Sequence, residues 1–313
     1  ELEGVITSDE LLALKVLPKR LIVVGGGVIG LEFASIYKEL GSEVVVLASR
    51  ILKNADAEIS KRLAPMLKKQ GIELYNDVRA KKIEKKGDML LVEAAYKKDG
   101  KTFEVEGDYV LIASGRGPVY DGLPLTELGI AHDEKGIVVD DGFETDVKGI
   151  YAIGDIVRGN PQLAHVASAQ AEYVAERIMG HQSNINLEVY PNCVFTLNEV
   201  AHAGYTEEEL KEKGVAYKAS KFNFAANGKA LCLGDANGLV KMLSAEDGTL
   251  LGAHIIGPHA NDLIAECTLA IANRMKADDL LRAVHAHPTL TEAVMEATAG
   301  LLGTAIHIAK PRK

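Results

Sequence analysis

Three closely spaced glycines between an apolar run and a helix-like segment constrain this 313-residue chain more than any other feature. Leu21-Ile22-Val23-Val24 is short and wholly apolar, as a strand buried on both faces must be. Gly25-Gly26-Gly27-Val28-Ile29-Gly30 follows, and positions 28–40 then read as a helix that stops at Gly41. A second apolar strand comes at 44–47, a helix at 57–70 and a third strand at 72–75. This β-α-β-α-β order is the grammar of a parallel sheet. Within it, Gly25 permits a tight turn, Gly27 lets a pyrophosphate approach backbone, and Gly30 lets the helix lie close to the strand. The free N–H groups of the helix start, with Val28 and Ile29 completing the turn, would face the phosphates. Val78, just past the third strand, is counted with these dinucleotide-facing positions. A glycine-rich turn that binds nothing is the bland alternative.

The end of the second strand sharpens the cofactor reading. An NAD site carries an acidic residue about 20 positions past the glycines, where it hydrogen-bonds the ribose 2′-OH. Here the chain has Ala48, Ser49 and Arg50. A hydroxyl beside a guanidinium suits a 2′-phosphate, which tilts the expectation toward NADP or relaxed specificity. Arg50 could equally be an ordinary solvated arginine.

The remainder changes character. Alternating segments at 81–86, 89–96 and 101–106 predict an antiparallel meander. An apolar strand at 109–112 ends at Ala113-Ser114-Gly115. A loop-rich stretch runs to 150, a strand at 150–153 ends at Gly154-Asp155, and a helix covers 164–179. The polar stretch 180–186 marks a boundary. Beyond it come strands at 215–224, 238–245 and 249–256, a helix at 206–213 opened by a Thr206-x-x-Glu209 capping box, and helices at 260–274 and from 291. That last part reads as α+β. Residues 1–17 read as a connecting segment, with a short helix capped by Ser8 and broken at Pro18.

Composition removes several function classes. A net charge of −9 without a basic run argues against nucleic acid. No apolar run reaches the roughly 18 residues of a membrane span. Cys193, Cys232 and Cys267 lie too far apart for a CxxC or zinc spacing, so no metal site is expected and the three read as small apolar fillers. A reduced cytoplasmic setting is the default.

His285-Ala286-His287-Pro288-Thr289-Leu290-Thr291-Glu292 concentrates the C-terminal chemistry. Pro288 restricts His287 to an extended backbone. Glu292 could reach back to the imidazole, fix its tautomer and raise the basicity of the other nitrogen, as a general base facing a thiol requires. Thr289-x-x-Glu292 is also a capping box in its own right, which would explain Glu292 without catalysis.

Taken in order, the segment 25–34, Ala113-Ser114-Gly115-Arg116, Ile150-Tyr151-Ala152-Ile153-Gly154-Asp155, Leu163-Ala164-His165-Val166-Ala167 and the segment 285–292 together resemble the pyridine nucleotide–disulfide oxidoreductases, most of all their dihydrolipoamide-oxidising branch. The resemblance covers essentially the whole chain. It implies an α/β fold: a Rossmann-like NAD(P)-binding domain with an antiparallel meander at 18–115, part of an FAD-binding domain at 116–184, and an α+β interface domain at 188–313 that forms a homodimer. The family's first FAD segment, with its own GxGxxG and a CxxxxC redox disulfide, has no counterpart among these residues and is expected upstream of Glu1.

Site roles follow from the same resemblance. Asp155 after Gly154 would bind the flavin's ribityl or phosphate region, and Leu163, Ala164 and His165 would face its pyrimidine end. Glu32 would sit near the flavin and pair with a lysine, while Gly115 and Arg116 close the NAD(P) domain. Gly-Asp could be a plain turn, His165 a surface histidine, and Glu32 a complement to the helix dipole. His287, held by Glu292, would take a thiol proton while electrons pass from a thiolate through FAD to the nicotinamide. A dithiol or lipoyl domain, within a 2-oxo acid dehydrogenase complex, would be the partner. Without the cysteine pair, these 313 residues alone are expected not to turn over lipoamide. An NADPH-dependent disulfide or mercuric-type reductase and a non-catalytic dinucleotide-binding homodimer remain the alternatives.

Overall fold

The computed structural model describes residues 2–308; Glu1 and residues 309–313, the outer ends of the expected first and last segments, lie outside the described residues. The chain forms two compact units, Glu1–Ser114 with Pro191–Lys313, and Gly115–Tyr190.

The first unit opens with β1 (Val5–Ile6), α1 (Ser8–Ala13), β2 (Arg20–Val24), α2 (Val28–Glu39), β3 (Glu43–Ala48), α3 (Ala57–Lys69) and β4 (Glu73–Asn76). The meander follows as β5 (Val78–Lys86), β6 (Met89–Tyr96) and β7 (Thr102–Gly107), and β8 (Tyr109–Ile112) returns to the first sheet. That sheet is parallel, with order β1-β8-β2-β3-β4. One face buries Leu21, Val23, Val44 and Val46 against the helices, while Ile22, Val45 and Val110 meet the meander. Apolar side chains on both faces are what a covered parallel sheet requires.

Residues 1–17 are more than a connector. Val5 and Ile6 pair in parallel with Val110 and Leu111, so they supply the sheet's edge strand. Two residues are too few to show a strand period, and their partner lies about a hundred positions away. The helix that follows is capped by Thr7 rather than Ser8, in a reciprocal box with Glu10, and ends at Ala13, well before Pro18.

The second unit contains β9 (His132–Asp133), β10 (Gly136–Ile137) and α4 (Ala164–Ile178) around a small core of Leu125, Ile130, Ile137, Ala152 and Val157. The strand expected at 150–153 is absent. The Thr145 N–H donates to the Ile150 carbonyl and the Ala152 N–H to the Phe143 carbonyl, giving one bridge between left-handed glycines at 149 and 154.

The chain re-enters the first unit with β11 (Asn192–Val194), β12 (Val200–Gly204), α5 (Glu207–Glu212), β13 (Lys218–Asn223), α6 (Gly228–Leu233), β14 (Leu239–Ser244), β15 (Leu250–Ile256), α7 (Ala260–Ala272), α8 (Ala277–Leu281) and α9 (Glu292–Leu301). Its antiparallel sheet has order β11-β12-β15-β14-β13. Val194, Val200, Leu239 and Ile256 join the same core as the parallel sheet. Cys267 is a buried filler as expected and Cys193 is half-buried, but Cys232 is exposed. It lies two residues from the buried Ala230, on the opposite face of α6.

One row across this sheet is polar, buried at His254 and Lys241 and exposed at Lys221. His202 pairs with His254, His254 with Lys241, and Lys241 with Lys221. Directly opposite residues share a face, and this face meets the acidic start of α3. The Lys241 ammonium, fully buried, lies 2.8 Å from Asp56 and 2.6 Å from Glu207. Lys221 reaches Glu58 at 2.8 Å. Burial opposes ionisation of Asp56, yet Lys241, His254 and the Glu58 N–H outweigh it and hold the carboxyl below its usual range. The two imidazoles stack at 5.8 Å, and neither Nδ1 finds a hydrogen-bond partner among the described residues. Burial drives the His202 pKa down to about 4 and lowers that of His254, so both rings are neutral near pH 7.

Lys241→Ala strands the Asp56 carboxylate in the interior and takes a partner from the half-buried Glu207, and should cost about 3–5 kcal/mol in equilibrium denaturant unfolding. The histidines give a second expectation. Their folded pKa values lie below the unfolded value of about 6.5, so the unfolded chain protonates first as pH falls. Stability is complete above that pH and declines toward pH 4, by about 3 kcal/mol for His202. His202→Phe should flatten the stability–pH curve across that window.

Candidate functional site

The glycine-rich turn is built by crowding on one side and space on the other. A Cβ on Gly25, whose φ is +137°, would lie 2.1 Å from the Ala113 carbonyl oxygen at the end of β8. A Cβ on Gly30 would lie 2.5 Å from the Gly25 carbonyl oxygen, so the helix approaches the strand only with glycine there. A Cβ on Gly27 would meet nothing within 4 Å. Gly27 is the N-cap of α2, exposed, with no side chain capping the helix start. An approach open to a phosphate thus sits on unpaired N–H groups at a positive dipole end. Val28 is exposed and Ile29 half-exposed beside it.

The loop after β3 lies against this turn. The Gly25 N–H donates to the Leu47 carbonyl at 3.0 Å and the Leu52 N–H to the Gly26 carbonyl at 2.8 Å. Ala48 is fully buried, while Ser49 and Arg50 are exposed. Lys97, in the turn after β6, donates to the Ser49 carbonyl at 2.8 Å. Nothing in the sequence marked Lys97, because the contact joins positions 48 residues apart. Val78 pairs with Tyr96, next to Lys97, but its side chain is buried in the core, so only its backbone is available to a ligand.

Glu32 is the fifth residue of α2, past the first turn, which removes the helix-dipole explanation. Its Oε1 accepts the Phe195 N–H at 2.8 Å. Burial raises its pKa and that hydrogen bond only partly offsets it.

In the second unit, Gly115 and Arg116 are exposed near its start. Gly154 has φ +71°, and its N–H donates to Gln170 Oε1 at 2.8 Å. Gln170 also exchanges hydrogen bonds with Asn160, which ties the Gly154-Asp155 turn to α4. Asp155 is exposed, as are Ala164 and His165 at the start of α4. Leu163 is the N-cap of that helix and offers no side-chain cap, so this end too can accept an anionic or carbonyl group.

The C-terminal pair forms as the residues suggest. His287 Nδ1 lies 2.9 Å from Glu292 Oε1. A carboxylate only accepts, so Nδ1 carries the proton and Nε2 the lone pair. The His287 side chain is 78% exposed, which leaves Nε2 accessible. The His287–Pro288 bond is cis. Glu292 serves two partners: its Oε2 also accepts the Thr289 N–H at 2.9 Å. Burial pushes its pKa up, but Thr289 and His287 outweigh this and hold it low. The capping box itself is not formed. Thr291 is the N-cap of α9, and the Thr289 hydroxyl donates to the Ala286 carbonyl.

Two supports of this loop escaped the sequence reading. Asn227, buried, donates to the Thr289 carbonyl at 3.0 Å while its Oδ1 caps α6. His285 is held on both nitrogens, by Glu266 at 2.9 Å and the Ala283 carbonyl at 3.1 Å. Side chain–backbone partners 62 residues apart leave no local signature. Among the described residues no cluster of metal-ligating side chains occurs, and no helix is long and apolar enough to cross a membrane.

Comparison with known proteins identifies the family. Residues 2–171 match the family described as pyridine nucleotide-disulphide oxidoreductase, and residues 190–298 its dimerisation domain. The dihydrolipoyl dehydrogenase of Geobacillus stearothermophilus is 42% identical over 308 residues, covering 97% of this chain and 65% of the relative. That of Bacillus subtilis is 43% identical, covering 98% and 66%. The chain therefore spans about two thirds of the length of these relatives. Among solved structures, LpdA of Mycobacterium tuberculosis superposes with a TM-score of 0.85 at 32% identity, covering 95% of this chain and 64% of that one. The glycine turn lies in the first matched segment and the His287–Glu292 pair in the second, and the chain belongs to the pyridine nucleotide-disulphide oxidoreductase family.

Proposed function

We propose that this chain supplies the nicotinamide-dinucleotide site and the acid–base pair of a dihydrolipoyl dehydrogenase-type dithiol oxidoreductase, acting as a homodimer. The observation that carries the reading is the His287–Glu292 hydrogen bond, which fixes the tautomer a thiol-facing base needs. Identity above 40% to two dihydrolipoyl dehydrogenases supports that substrate class. The division into 18–115, 116–184 and 188–313 belongs to the same proposal, with residues 1–17 contributing Val5 and Ile6 to the sheet of the first of these.

The residues fit the cofactors implied. Gly27 leaves the space a pyrophosphate needs, and the α2 N–H groups hold it there, with Gly25 and Gly30 fixing the turn. By resemblance, Glu32 would sit near the flavin and Gly115 and Arg116 would close the NAD(P) domain, while Asp155, Leu163, Ala164 and His165 would hold the flavin. A bound flavin supplies the two-electron link between a dithiol and a nicotinamide ring. The chain's own chemistry is proton handling and positioning. His287 Nε2 takes a proton from the substrate thiol, Glu292 stabilises the imidazolium through Nδ1–H, and the proton is returned or released when the thiolate has given up its electrons.

Two measurements test this. Because a Cβ at Gly27 meets nothing, Gly27→Val should fold normally, with an unchanged Tm, yet lose at least about tenfold in nucleotide affinity through blockade of the phosphate approach. In the assembled holoenzyme, His287→Gln should lower kcat by about 10²–10⁴-fold. Glu292→Gln should lower it less and shift the limb of the pH–rate profile that reports the base. Unchanged kcat in both variants would refute the acid–base assignment.

A further inference from the structure

We propose that Lys97, together with Arg50, is a specificity residue that selects a dinucleotide bearing a 2′-phosphate on its adenosine ribose; this rests on the nucleotide-site reading above. The Rossmann turn dictates where that ribose lies, beside the C-terminal end of the second strand. In this chain that end is β3, and the position for the ribose-binding carboxylate is Ala48, a fully buried methyl. It is held against the glycine turn by the Leu52 N–H bond to the Gly26 carbonyl and cannot accept a hydroxyl proton.

Two cations stand where the carboxylate is missing. Arg50 is exposed two residues on. The Lys97 ammonium arrives from the turn between β6 and β7 and is fixed on the Ser49 carbonyl at 2.8 Å. Its backbone is fixed as well, since the Lys97 N–H donates to the Asp77 carbonyl at 2.9 Å. Among the described residues the carboxylate close to the ammonium is that of Asp77, whose Oδ1 lies 3.7 Å from Nζ; its side chain is 59% exposed. One bond to a carbonyl and one loose ion pair leave the ammonium donor capacity for a phosphate oxygen. The Ser49 hydroxyl adds a further donor at the same strand end. A dianionic phosphate matches this set, whereas a neutral 2′-OH would leave both cations unmatched.

Isothermal titration with 2′-phospho-ADP-ribose and with ADP-ribose tests the assignment without any turnover. The unaltered chain should bind the phosphorylated probe at least about tenfold more tightly, the worth of one charge-assisted hydrogen bond. Lys97→Ala should remove most of that advantage while leaving ADP-ribose affinity and Tm within error, and Lys97→Arg should retain it. Equal affinity for the two probes in the unaltered chain, or a Lys97→Ala variant that keeps the advantage, overturns the proposal. A loss of both affinities together would show a structural role and overturns it too. Failure of both probes to bind would instead overturn the nucleotide-site reading on which it rests.

Discussion

The Lys241 ammonium joins the two halves of the first unit. It projects from the middle of the antiparallel sheet onto Asp56, the N-cap of α3 in the parallel-sheet half. Taking an ammonium and a carboxylate out of water costs several kcal/mol each, and only close, multiply bonded partners offset it. Lys241 has such partners in Asp56 and Glu207, and Asp56 also caps α3 by accepting the Glu58 N–H. The neighbouring imidazoles are kept neutral by burial, which removes like-charge repulsion from the row. The contact between the halves is therefore made both by these ion pairs and by the apolar core around Val194, Val200, Leu239 and Ile256.

That joint bears on the site because α3 follows directly from the β3 end. The same loop runs from Ala48 past the glycine turn to Asp56. Ser49 and Arg50 lie between the end of β3 and Leu52, whose N–H is held on the Gly26 carbonyl, and further on Lys241 holds Asp56. Glu32 makes a parallel link by accepting the Phe195 N–H. Within this unit, the glycine turn and the C-terminal sheet are held by hydrogen bonds and ion pairs between segments far apart in sequence. The His287 loop is secured in the same manner by Asn227 and Glu292.

Much of this was legible in the residues. The strands at 20–24 and 43–48, helices α2, α3 and α7 and the Thr206 capping box follow from apolar periodicity and local hydrogen-bonding chemistry, which neighbouring residues carry. The His287–Glu292 pair was legible for the same reason, its partners lying five positions apart. What escaped was short or non-local. β1 has two residues and β11 three, and both exist because a strand elsewhere offers a ladder. α6 and α8 are single-turn helices whose signal is weaker than their context. The strand expected at 150–153 lost to two left-handed glycines that turn the chain back on itself.

The sequence by itself determined the parallel α/β unit, the tight glycine turn, the lack of a carboxylate at Ala48 and the His287–Glu292 pairing, since each is written within a few residues and governed by backbone sterics or local reach. Only the tertiary structure decided which cations stand at the β3 end, what Glu32 binds, that residues 5–6 complete the sheet, and that a buried lysine joins the two halves. Those outcomes depend on which distant groups are brought together out of water, and burial energies are a property of the assembled interior rather than of any local stretch of chain.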